Sequence, residues 1–128
     1  MKKLYLIILV TLTLAGCAKT QPVYNVSEHA VPANVESSKV QDSIIDALKY
    51  KRWTIEEKKP GEVVANIYVR SHQARIRITY DTQNYNIEYV DSSNLKYSEQ
   101  KNTIHRNYNK WIQLLEQEID TRLNNLQY

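Results

Sequence analysis

Asp91, Ser92 and His105 are the acid, nucleophile and base types of acyl-transfer chemistry, and they lie close together in sequence. A reactive serine needs a base within hydrogen-bond reach and donors for the developing oxyanion. No Gly-x-Ser-x-Gly elbow surrounds Ser92, so a hydrolase is only a remote expectation. A small polar binding site is the nearer one. Asp91, Ser92, Asn94 and Tyr97 precede a helical pattern, and His105, Tyr108 and Asn109 fall on its early turns. His105 and Asn109 are at i and i+4, hence on one helix face. A meander brings strand ends to the start of that helix, so these residues are expected to line one rim with His72 or Tyr80. The same residue types also make Asx turns, helix caps and core-edge hydroxyls, and that structural use is the simpler expectation.

Metal and cofactor chemistry has less support. His29, His72 and His105 are far apart, and none has a His or Cys at helix or hairpin ligand spacing. Beyond residue 16 the only glycine is Gly61, so no glycine-rich loop exists to cradle a phosphate. Neither a metal nor a bound cofactor is expected. Tyr68, Arg70, Arg75 and Arg77 fall on the outward side of two strand patterns, with Tyr68 expected beside Arg75. Such a face suits lipid phosphates or glycan carboxylates, but Glu62 and Glu88 dilute its charge, and a solvated sheet face is the simpler expectation. An open sheet edge is a second route to a protein partner, by strand addition.

The N-terminal residues form an address. Met1-Lys2-Lys3 is followed by a twelve-residue apolar run, Leu4 to Ala15, interrupted by Thr11 and Thr13. A bilayer core of about 30 Å takes roughly 20 helical residues, so the run fits a signal peptide and not a span. Leu14-Ala15-Gly16-Cys17 then resembles the lipobox of bacterial lipoproteins. That resemblance implies diacylglycerol and palmitate-type chains on Cys17, with cleavage after residue 16. Ala18, in place of Asp, implies outer-membrane sorting with the domain in the periplasm. The only cysteine is thereby consumed, leaving none for a disulfide or catalysis. Losing Lys2 and Lys3 leaves 15 basic against 14 acidic side chains, which gives no case for a nucleic-acid partner. Three segments follow: 1–16 as signal peptide, 17–36 as lipidated Cys and flexible tether, and 37–128 as a single α+β periplasmic domain. Pro22, Pro32 and the absence of a period support the tether, which would reach up to about 60 Å. His29 is expected to be solvated.

Positioning these side chains requires an α+β fold. Ser37 or Ser38 is expected to cap a helix over 38–50, with Val40, Ile44, Ile45, Ala47 and Leu48 on its apolar face. Strand patterns follow at 52–56, 62–70, 73–80 and 85–89, with a turn at Lys58-Lys59-Pro60-Gly61. Alternation predicts a hairpin at Ser71-His72, pairing Val69 with Ala74, Ile67 with Ile76, Ala65 with Ile78 and Val63 with Tyr80. The next hairpin, through Asp81–Asn84, pairs Tyr80 with Tyr85, Ile78 with Ile87, Ile76 with Tyr89, and Arg77 with Glu88. From Glu99 to about Asn125 a helical stripe runs through Ile104, Tyr108, Trp111, Ile112, Leu115, Ile119, Leu123 and Leu126. Its far end, with Ile119, Leu123 and Leu126, overhangs the sheet and is expected to cover the first helix, with a partner or dimer contact as the alternative. The fold class is thus a helix, a four-stranded antiparallel meander and a long C-terminal helix, both helices on one sheet face.

Several of these motifs together resemble a family of small, uncharacterised proteobacterial lipoproteins. They are Trp53, Pro60-Gly61, His72-x-Ala74-x-Ile76-x-Ile78-x-Tyr80, Tyr85-x-Ile87-x-Tyr89, Asp91-Ser92-x-Asn94-Leu95-x-Tyr97 and Ile104-His105-x-x-Tyr108-Asn109-x-Trp111. The resemblance covers about residues 37–123 and brings no activity with it. Arg52 stands where the family pattern has Gly. The expected function is a non-enzymatic binding or scaffold module in envelope assembly or maintenance. A binder of a small polar ligand or an envelope lipid or glycan fragment is the alternative. Beyond the membrane anchor, an envelope protein is the expected partner.

Overall fold

The computed structural model describes residues 19–127, so the signal segment and Cys17 lie outside the described residues. In chain order the elements are β1 (Thr20–Pro22), β2 (Val26–Ala30), α1 (Ser37–Tyr50), β3 (Thr54–Lys59), β4 (Glu62–Val69), β5 (His72–Tyr80), β6 (Asn84–Ser93), β7 (Thr103–His105) and α2 (Arg106–Asn125). The main sheet is antiparallel, in the order β2-β6-β5-β4-β3, and β1 pairs with β7 in a separate ribbon. One face of the sheet carries Ala65, Ile67, Ala74, Ile76, Ile78 and Ile87 into a single core with α1 and α2. The α+β class holds, and the expected meander is β3 to β6. No helix among the described residues is long and apolar enough to cross a membrane.

The tether is the largest correction. From Thr20 onward, residues 17–36 belong to the fold: β1 joins β7, and β2 adds a fifth strand beside β6. Val26, Val31 and Val35 are buried, with Val23 packed against the core. Their spacing shows no period because the strand is interrupted. The register slips between Val26 and His29, where Glu28 takes φ +52°.

Arg52 shows what ends α1. Its backbone is left-handed, φ +68°, just past the C-cap Lys51. The Arg52 amide donates to the Lys49 carbonyl and the Trp53 amide to the Leu48 carbonyl, which is a Schellman closure. Glycine adopts that backbone without strain, whereas an L side chain resists it. β3 therefore begins at Thr54, with Trp53 buried. At the other end of α1 neither Ser37 nor Ser38 is the cap; Glu36 occupies that position and makes no side-chain cap bond.

The first hairpin turns at Arg70-Ser71, pairing Val69 with His72, Ile67 with Ala74, Ala65 with Ile76 and Val63 with Ile78. That is two residues from the expected register. A shift of two leaves every side chain on its face, so alternation alone does not separate the two registers. The second hairpin has the expected pairs through Ile76–Tyr89, after which the register shifts and Asp91 lies opposite Arg75.

α2 begins at Arg106, not Glu99. Ser98 and Thr103 exchange backbone hydrogen bonds across a turn, and Ile104 is buried on β7. Ile104 lies four residues before Tyr108, so it fits the helical stripe although it is on a strand. Ile119 and Leu123 are fully buried in the core shared with α1, while Leu126 is exposed.

Candidate functional site

The expected polar rim is divided among separate places. His72, Asn94 and His105 do meet. The His72 Nδ1 donates to the Asn94 carbonyl at 2.7 Å, and the Asn94 amide donates to Ser71 Oγ at 2.8 Å. The His72 and His105 rings stack with centroids 6.2 Å apart, and Trp111 lies 6.4 Å from His72. His105 caps α2, its Nδ1 accepting from the Asn107 amide at 3.1 Å. Burial lowers the His105 pKa, and the nearby charges of His72, Lys96, Arg106 and Lys19 lower it further.

Tyr89, expected in the sheet but not in the polar rim, organises the next group. Its hydroxyl bonds Ser92 Oγ at 2.7 Å, and its ring packs on Tyr97 at 4.3 Å and edge-on to Tyr108 at 5.6 Å. The Tyr108 hydroxyl is buried without a hydrogen-bond partner, and burial raises its pKa. Ser92 and His105 thus bond to different partners, so the hydrolase pairing has no support from geometry. Tyr80 is elsewhere again, accepting from Gln41 Nε2 at 2.5 Å.

Asn109 is buried and fully engaged. Its Oδ1 accepts from the Tyr24 amide at 2.9 Å, and its Nδ2 donates to the Pro22 carbonyl at 2.9 Å and to Gln21 Oε1 at 3.3 Å. It fastens the N-terminal segment to α2. Asp91 belongs to the outer sheet face, where it pairs with Arg75 and accepts from Gln73.

That outer face is a lattice of ion pairs, not a free cationic surface. Arg75 also meets Glu56 at 2.8 Å. Arg77 pairs with Glu62 at 2.6 Å in place of Glu88, and Lys59 joins the same carboxylate at 3.0 Å. Tyr68 is 74% exposed and lies opposite Gln73, not Arg75. Arg70 is exposed at the hairpin turn with φ +56°. Of the four residues expected on the outward face, Arg75 and Arg77 are tied up in ion pairs, while Tyr68 and Arg70 remain open.

Two groupings escaped the sequence reading. His29 is held between two carboxylates of α2, with Nδ1 2.8 Å from Glu116 and Nε2 3.1 Å from Asp120. Its ring stacks on Tyr85 at 4.7 Å. Tyr24 donates to the same Glu116 carboxylate at 2.6 Å, and that bond pushes its pKa up to about 12. No group of three metal-ligating side chains is placed to hold a metal among the described residues. The second grouping is a concavity of about 500 Å³ lined by Gln21, Arg106, Asn107, Asn109, Lys110 and Gln113. Asn109 is the one expected site residue that lines it.

Against known proteins, the chain matches no family model, no curated protein and no solved structure.

Proposed function

We propose that this chain is an outer-membrane lipoprotein, lipidated at Cys17, whose periplasmic domain is a non-enzymatic binding or scaffold module of the cell envelope. One observation carries the non-enzymatic reading. Ser92, His105, Asn109 and Asp91, the side chains best suited to chemistry, each bond to a different structural partner. A catalytic site needs such groups converging on one reacting atom. Here they fasten turns, a helix cap, a strand and an ion-pair lattice. The lipobox-like Leu14-Ala15-Gly16-Cys17 behind a short apolar run supports the anchor.

The test has two arms. Intact mass of the protein purified from membranes carries acyl chains, and Cys17→Ser abolishes both that mass and outer-membrane fractionation. Photo-crosslinkers at Tyr68 and Tyr50, both exposed, capture a defined envelope protein in cells. Unmodified Cys17 rejects the anchor; crosslinks no stronger than those of a scrambled surface position reject the scaffold role.

A further inference from the structure

The proposed anchor constrains which end of the domain meets the bilayer. Lys19 is two residues after Cys17, so their Cα atoms are at most about 7 Å apart. The Lys19 carbonyl is held in turn, accepting from the Arg106 backbone amide at 2.8 Å. A lipid on Cys17 therefore leaves the protein beside the first turn of α2. No long spacer separates the fold from the membrane.

That end of the molecule is cationic and unpaired. Lys19, Lys96, Lys101, Arg106 and Lys110 are exposed. None pairs with a carboxylate among the described residues, in contrast to Arg75 and Arg77 on the sheet. Three of them, Lys19, Lys96 and Arg106, are close enough to His105 to act on its charge. Over residues 94–113 the one acidic side chain is Glu99. The acids of α2 are all in its second half, at Glu116, Glu118 and Asp120. Arg106 and Lys110 are at i and i+4, so they share a face, and both line the polar concavity. Trp111, half-buried between this face and His72, has the amphipathic ring that favours a membrane interface.

We propose that the β1–β7–α2 end of the domain rests on the membrane and binds anionic phospholipid headgroups, their phosphates held between Arg106 and Lys110. The orientation rests on the anchored reading above, while the headgroup contact is a property of the folded domain. Exposed cations near an anionic surface attract it over about a Debye length, roughly 8 Å at physiological salt. A lipid two residues away keeps the patch within that range.

The test uses residues 17–128 carrying Cys17→Ala, a chain that retains every described residue. It is sedimented with vesicles of phosphatidylglycerol and phosphatidylcholine, and with phosphatidylcholine alone. The expected result is binding to the anionic vesicles only, weakening as salt rises. Arg106→Gln and Lys110→Gln each weaken it about fivefold, and the pair about 25-fold. Both side chains are solvent-exposed, so thermal midpoints and circular dichroism stay unchanged. Lys39→Gln with Lys49→Gln, a charge-matched change on α1, leaves vesicle binding as it was. Equal binding to neutral vesicles overturns the proposal, as does a double variant that binds like the parent. Lipidation of Cys17 in cells is scored separately by mass, so a missing acyl chain rejects the anchor and a vesicle failure rejects the headgroup site.

Discussion

His29 has two ring nitrogens facing two carboxylates, and only the doubly protonated ring donates to both. Burial lowers its pKa, but the hydrogen bonds and charges of Glu116 and Asp120 outweigh burial and the net shift is upward. The neighbouring Tyr24 and Tyr85 hydroxyls are both shifted upward and stay neutral at physiological pH. A histidine with a folded pKa above its unfolded value of about 6.5 stabilises fully below that value. The contribution disappears as pH rises through the folded pKa. The parent chain is therefore expected to exceed His29→Gln in urea midpoint below about pH 6.5, with the gap narrowing as pH rises through the folded pKa. A gap that widens with pH contradicts the assignment. Sequence gave no warning of this cluster, because Glu116 is 87 and Asp120 is 91 positions away. Arg52 is the opposite case, a single residue whose oddity was visible. An L side chain at left-handed φ costs about 1–2 kcal/mol, and glycine returns part of that gain through its freer unfolded chain. Arg52→Gly is expected to raise stability by about 0.5–1 kcal/mol in urea unfolding.

At the scale of elements, patterning was most legible where a strand has several turns of alternation. β5 buries alternate residues from Ala74 to Tyr80, and the inner faces of β4 and β6 follow the expected alternation. β4 also buries Val64 and Asn66 on its other face, however, and β6 buries only Tyr85 and Ile87. Register needs turn chemistry as well, and Arg70-Ser71 lacks the Asn-Gly signal of a two-residue turn. Short elements carry too few residues for a period to declare itself. β1 and β7 have three residues each, so β1 read as linker and β7 as helix. What fastens β1 in the fold is a polar partner: Asn109, buried on α2, satisfies backbone groups at the end of β1 and just after it. Removing one side of a buried hydrogen-bonded set strands the other groups, at about 1–3 kcal/mol. Asn109→Ala is expected to lower stability by about that amount and to speed amide exchange at Tyr24. Unchanged exchange there argues that the segment is held without Asn109. The alternative, Asn109 as a ligand-binding side chain, predicts lost affinity with no change in exchange.

For the molecule as a whole, residues 19–33 act as a strap along α2. Lys19 bonds Arg106, Pro22 and Tyr24 bond Asn109, and Tyr24 and His29 bond Glu116. Further along, His29 reaches Asp120 and the Ala33 carbonyl accepts from Gln127. The strap keeps pace with the helix from one end to the other. On its opposite side β2 closes the edge of β6, so one short segment joins helix to sheet. Burying a valine side chain contributes about 1.5–3 kcal/mol. Val26 and Val31 together then supply about 3–6 kcal/mol, against a total of about 5–15 for a domain of this kind. The strap is thus a large part of what holds the domain together, despite its linker-like composition. A chain starting at Pro32 is expected to lose at least about 3–6 kcal/mol of its unfolding free energy. It also leaves β6 as an open edge, whose unpaired amides recruit a second chain, so sedimentation should show association that the intact chain does not. Val26→Ala with Val31→Ala keeps the strap but empties its anchors, and should reproduce the stability loss without the association. A truncated chain that stays monomeric with an unchanged urea midpoint would mean that the strap lies on a domain already complete without it.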